Sequence, residues 1–86
     1  MNWPSWWDWD LGFTGHVEAR MEERGFSEIE LRFMLDRATN IRPARRPGRW
    51  QITTRRSGQP WVVVVEPDTE NRTLMIVTAY PIEANR

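Results

Sequence analysis

The apolar positions of this chain change period once, and the change divides it into two parts. Between residues 14 and 24, Val17 and Met21 recur four apart, the spacing of one helix face. Thr14 is placed to cap the start of that helix, and Gly25 suits a left-handed stop at its end. Ser27 and Glu30 then form a Ser-x-x-Glu capping box, in which each residue covers a free backbone N–H of a new helix. This second helix is predicted over residues 28–38. Leu31, Met34, Leu35 and Ala38 share one apolar face, and Ile29 and Phe33 form a second, smaller one. A helix apolar on two sides is expected to be covered on both: by the sheet on one, by the first helix or the N-terminal segment on the other.

From residue 50 the period is two. Trp50, Ile52 and Thr54 alternate with Gln51, Thr53 and Arg55, predicting a half-buried strand that ends at the Ser57-Gly58 turn. Residues 61–65 are Trp followed by four valines, which suits a central strand covered on both faces. Pro67, Asp68 and the polar residues to Arg72 supply the next turn. A third strand follows over 74–80 and ends at Pro81. Strict alternation puts Leu74, Ile76, Thr78 and Tyr80 on one face and Met75, Val77 and Ala79 on the other. Residues 39–49, with Pro43, Pro47 and Gly48 among arginines, read as a loop or a ragged edge strand. Two helices followed by a meander joined by short turns predict a small α+β domain: two N-terminal helices packed on a three- to four-stranded antiparallel sheet.

Residues 1–12 stand apart from this pattern. They hold four of the six tryptophans, Trp3, Trp6, Trp7 and Trp9. So much aromatic surface is unusual in a disordered tail. Either the segment packs on the domain as a flap, or its indoles anchor a partner. Packing is favoured, because an exposed tryptophan cluster invites aggregation. The organisation expected is a Trp-rich segment over 1–12 and one compact domain over 13–86.

Composition narrows the chemistry. There is no cysteine, which excludes a disulfide scaffold and a Cys-based zinc site and fits a reducing, cytoplasmic setting. The single histidine, His16, argues against a usual zinc site, so no metal or other cofactor is expected. No basic start with an apolar run marks a secretory leader, and no run approaches a membrane span. Asn71-Arg72-Thr73 matches a glycosylation acceptor, which has no consequence without a route to secretion.

Net charge is zero, but all twelve basic residues are arginine and they are unevenly spread. Residues 37–56 carry seven (Arg37, Arg42, Arg45, Arg46, Arg49, Arg55, Arg56) and no acid. Such a run makes a local field that attracts an anion, and the guanidinium fork matches phosphate or carboxylate. Arg45, Arg46, Arg49, Arg55 and Arg56 are the candidates for holding a nucleic-acid backbone. On the first helix His16, Arg20 and Arg24 form one row beside the apolar row of Val17 and Met21, half shielded and half open. As a solvated helix edge, the row needs no function, since Glu18, Glu22 and Glu23 balance its arginines. As a site, it suits metal-free RNA cleavage: histidine as base or acid near neutral pH, arginine against the phosphorane oxygens, and Tyr80 donating a hydrogen bond or stacking on a base.

The motif His16-x-x-x-Arg20-Met21-x-x-Arg24-Gly25, followed by Phe26-Ser27-Glu28 and the terminal Val77-Thr78-Ala79-Tyr80-Pro81, resembles a bacterial family described as a domain of unknown function, related to RelE-, ParE- and BrnT-type toxins. The resemblance spans roughly residues 13–82. It implies the compact toxin fold, RNA cleavage on or off the ribosome, and a neighbouring antitoxin, with His16, Arg20, Arg24 and Tyr80 at the matching positions. RelE-type enzymes often use lysine in the site, and this chain has none.

Three functions remain open: a metal-independent endoribonuclease toxin; a non-catalytic nucleic-acid-binding module; and a protein-interaction or inhibitor domain whose interface is the tryptophan segment. An uncovered edge strand would also allow two copies to pair.

Overall fold

The computed structural model describes residues 3–82. Its local stops and starts follow from the capping chemistry. Helix α1 (Gly15–Arg24) begins at Thr14, whose hydroxyl accepts the Val17 N–H, and ends at Gly25 with φ 68°. Helix α2 (Glu28–Asp36) opens with the full Ser27 and Glu30 capping box and closes at Arg37. Before α1 lie a 3-10 turn, Ser5–Asp8, and a four-residue strand, β1 (Asp10–Phe13). After α2 come β2 (Asn40–Pro43), β3 (Trp50–Arg56), β4 (Gln59–Asp68) and β5 (Thr73–Pro81).

The β3–β4 turn places Ser57 and Gly58 at φ 53° and 78°. Positive φ at both central residues is the twist-matched hairpin turn, and glycine accepts it without strain. In the β4–β5 turn, Asp68 accepts the Glu70 and Asn71 N–H groups and the Asn71 side-chain amide. These bonds hold the Asp68 carboxyl below the usual carboxylate range, the Asn71 side chain contributing most.

All five strands form one sheet in the order β1-β5-β4-β3-β2. The expected three- to four-stranded antiparallel sheet is therefore corrected to a mixed five-stranded one. β2, β3, β4 and β5 run as the antiparallel meander. β1 joins the far side of β5 in parallel, with Leu11 opposite Leu74 and Phe13 opposite Ile76. A four-residue strand with a glycine in it is too short to show a period. Gly12 nevertheless suits the pairing: a Cβ there would come within 2.5 Å of the Met75 sulfur and 2.9 Å of the Thr73 methyl carbon. The strand straddles residue 12, so the end of the Trp-rich segment is itself part of the sheet.

Both helices lie on one face of the sheet. The core between them contains Val17, Leu31, Met34, Ile52, Trp61, Val63, Val65, Leu74 and Ile76. Trp6, Trp7 and Trp9 pack against its margin, and Trp6 meets Trp50 at 6.0 Å between ring centroids. The buried hydroxyl of Thr54 donates to the Met34 carbonyl, tying β3 to α2.

Alternation along β5 is broken by a bulge. Val64 faces Thr78 and Val65 faces Ile76, which leaves Val77 as the extra residue. Consequently Leu74, Ile76 and Ala79 are the buried positions, and Thr78 and Tyr80 turn to the open face, not the face of Ile76. The covering expected for Ile29 and Phe33 does not occur either; both are exposed.

β1 pairs β5 only as far as Ile76. Beyond it, Thr14 takes over: its N–H donates to the Ile76 carbonyl at 3.3 Å and its hydroxyl to the Val77 carbonyl at 3.0 Å. Thr14→Ala removes the α1 cap and the hydroxyl bonds to the β5 edge, leaving the backbone N–H bond to Ile76 in place. It should lower unfolding free energy by about 1–2 kcal/mol in urea titration, with Thr14→Ser retaining most of the stability. At Asp68 the depressed carboxyl adds stability above its unfolded pKa of about 3.9 and loses it as pH falls through the lower folded value. Asn71→Ala should raise the Asp68 pKa in an NMR titration, and the stability difference from wild type should fade in acid.

Candidate functional site

Helix α1 is held against the outer edge of β5 at both ends. Thr14 bonds the Ile76 and Val77 carbonyls at one end, and Arg24 Nη1 donates to the Ala79 carbonyl (2.8 Å) at the other. The half-shielded row therefore lies beside a strand edge. Its members differ in what they are free to do. His16 is exposed, and no side-chain hydrogen bond among the described residues engages it. Arg20 is half-buried and pairs with Glu23 at 2.9 Å, a surface pair that breaks at little cost. Arg24 is committed to the fold: besides Ala79, its guanidinium lies 6.0 Å from the Trp61 ring centroid.

Tyr80 follows Ala79 directly and is 37% exposed. It stands near the Arg24 end of α1. His16 lies eight residues earlier, about 12 Å along the helix axis. His16, Arg20 and Arg24 follow α1, whereas the Tyr80 side chain turns to the open face on the other side of the sheet, so the four do not converge on one point.

The arginine run is divided by the strand that carries it. Arg45 and Arg46 are exposed at the tip of the β2–β3 connection, where Ala44 N–H bonds the Arg49 carbonyl and Arg49 N–H the Arg46 carbonyl. Arg49 turns back to Glu66 at 2.8 Å. Arg55 and Arg56 sit at the other end of β3, about 20 Å away at the rise of a strand. Arg42, opposite Gln51, shares the open face with Tyr80 and Arg55. Strand order sets β2 three spacings from β5, so the Arg45 and Arg46 tip and α1 lie toward opposite edges, about 15 Å apart in the sheet.

Arg56 does structural work. One of its terminal nitrogens, Nη2, reaches both the Gly25 carbonyl and Glu30 Oε2 at 3.3 Å. Its guanidinium lies 5.4 Å from the ring centroids of both Phe26 and Trp61, which themselves meet edge to face. This cluster locks the α1–α2 turn onto the end of β3. Sequence spacing had not separated Arg56 from its neighbour Arg55. The alternation of Trp50, Ile52, Thr54 and Arg56 on one strand face was the signal that could have done so.

The tryptophans proposed as partner anchors are largely engaged with one another and with the domain. Trp3 stacks on Trp7 at 4.5 Å, and Trp6 meets both Trp7 and Trp50. Among the described residues no cluster of His, Asp and Glu is placed to hold a metal, and no helix is long and apolar enough to cross a membrane.

Two helices over one face of a mixed five-stranded sheet define a small two-layer α+β domain. The chain belongs to the family described as Domain of unknown function (DUF4258), which matches residues 13–81. No curated protein and no solved structure matches it.

The different settings of Arg55 and Arg56 predict different outcomes. Arg56→Ala removes two hydrogen-bond partners and two ring contacts and should cost about 1–3 kcal/mol in thermal unfolding. Arg55→Ala, exposed and bonded only to the Gly58 carbonyl, should change stability by less than about 0.5 kcal/mol.

Proposed function

We propose that this domain acts on RNA in the cytoplasm as a metal-independent endoribonuclease, in the manner of the RelE- and BrnT-type toxins its motif resembles, under the control of a cognate antitoxin. The observation that carries the reading is the α1 row. An imidazole with no side-chain hydrogen bond among the described residues and, one turn on, an arginine in a breakable surface pair stand on a helix fixed at both ends against the β5 edge. A rigid helix holds such a pair more precisely than a loop.

In this reading His16 takes the proton from a ribose 2′-hydroxyl, or returns one to the leaving oxygen. The 2′-oxygen forms its bond to the adjacent phosphorus as the bond from phosphorus to the 5′-oxygen breaks. The products are a 2′,3′-cyclic phosphate and a 5′-hydroxyl, and no co-reactant is consumed. Arg20, released from Glu23, stabilises the charge that develops on the non-bridging oxygens. Arg24 acts as a positioning residue: bonded to the Ala79 carbonyl and packed beside Trp61, it fixes the helix that carries His16 and Arg20. Tyr80, with Arg42 and Arg55 on the same open face, offers a stacking surface and backbone contacts to the strand leading away from the cut.

A second reading is a non-catalytic nucleic-acid-binding module. It is favoured by the separation of the four candidate residues and by the exposure of Arg45, Arg46 and Arg55.

The two readings part in one experiment. Wild type, His16→Ala and Arg20→Ala are expressed in a bacterial host at matched soluble levels, and total RNA is examined. The ribonuclease reading expects growth arrest and RNA fragments from wild type only, with purified wild type cleaving RNA in EDTA. Intact RNA from all three, together with purified protein that binds RNA with a steep salt dependence, would transfer the conclusion to the binding module.

A further inference from the structure

Helix α2 presents an apolar surface that the fold leaves uncovered. Leu31, Met34 and Leu35 are buried, yet Ile29 and Phe33, one turn apart on another face, are 67% and 55% exposed. Phe33 also borders a pocket of about 130 Å³ between α2 and the β3–β4 turn, lined by Glu30, Met34, Arg37, Arg55 and Arg56. The charges in this pocket are unequal. Glu30 is taken by Arg56 at 3.3 Å. Arg37 and Arg55 have no carboxylate partner among the described residues. An exposed apolar ridge therefore runs into a small pocket with two uncompensated guanidinium groups.

We propose that this surface docks a short segment of another protein, with apolar side chains laid on Ile29 and Phe33 and a carboxylate seated between Arg37 and Arg55. Paired guanidinium forks suit a carboxylate, and burial beside Phe33 and Met34 strengthens the bond. RNA fits less well. Isoleucine has no face on which a base can stack, and Phe33 is the one exposed ring on this helix, so successive bases find no platform. A second copy of the chain also fits less well, because a stable dimer buries about 800 Å² on each partner, far more than two side chains and a pocket present. A linear segment using apolar anchors at helical spacing and one acid matches the size and charge of the surface. The pocket lies apart from His16, Arg20 and Arg24 and shares only Arg55 with the open-face RNA contacts, so peptide binding, and its loss on Phe33→Ala, is measured without reference to RNA cleavage.

The test uses the full chain and dodecapeptides selected from a random displayed library. The strongest binders are synthesised, labelled and measured by fluorescence anisotropy against wild type, Ile29→Ala, Phe33→Ala and Arg55→Glu. These three positions are exposed, so the variants should keep wild-type melting curves, which circular dichroism checks. The proposal expects selected peptides that combine Asp or Glu with Leu, Ile or an aromatic residue, and binding weakened about tenfold or more by Phe33→Ala and by Arg55→Glu. Peptides without that composition, or binding indifferent to both substitutions, would overturn it. So would a wild-type dimer in sedimentation that Phe33→Ala dissolves, which assigns the surface to a second copy. Displacement of the peptide by an oligouridylate at constant ionic strength would assign it to RNA instead.

Discussion

The outer edge of β5 has to be paired along its whole length, and that requirement shapes the domain. A strand edge left open carries unsatisfied carbonyl groups and invites pairing with another chain. Here β1 covers the first part of β5, as far as Ile76. The chain then turns at Thr14 into α1, whose two ends take up the Ile76, Val77 and Ala79 carbonyls through Thr14 and Arg24. One strand and one helix thus share a single edge. The geometry of α1, and the exposure of His16 and Arg20 along it, follow from that division.

The arginines serve two ends that composition alone cannot tell apart. Arg24 and Arg56 approach the Trp61 ring and hold the α1–α2 turn against the ends of β3 and β5. A guanidinium can do this because it is planar, weakly hydrated and able to bond at its rim while its face lies on an aromatic ring. Arg49 pairs across to Glu66. What remains for a partner is Arg42, Arg45, Arg46, Arg37 and Arg55, distributed over the open face, a hairpin tip and a pocket. The positive field is therefore less concentrated than seven arginines in twenty residues suggest.

The tryptophan segment illustrates how packing and sheet formation can join. Its indoles pair with one another and close over Trp50 at the margin of the core. That places Asp10–Phe13 in line to become β1. The flap and the fifth strand are one structure: the aromatic contacts position a strand too short to hold its register alone.

Much of this architecture was legible in the residues themselves. The caps at Thr14, Gly25 and Ser27, the helical rows, the Ser57-Gly58 turn and the valine-rich central strand depend on neighbours within a few positions, and short-range chemistry is written locally. The parallel pairing of β1 with β5 and the bulge at Val77 were not. Each depends on residues about sixty apart or on register across two strands, and a four-residue segment containing Gly12 carries no period to announce it. The same boundary runs through the candidate site. The row of His16, Arg20 and Arg24 was visible as helical spacing, but only the packed edge of β5 decided that Arg24 would be anchored and His16 exposed. The exposure of Ile29 and Phe33 was likewise a tertiary outcome, because whether an apolar face is covered depends on what the rest of the chain has left to place against it.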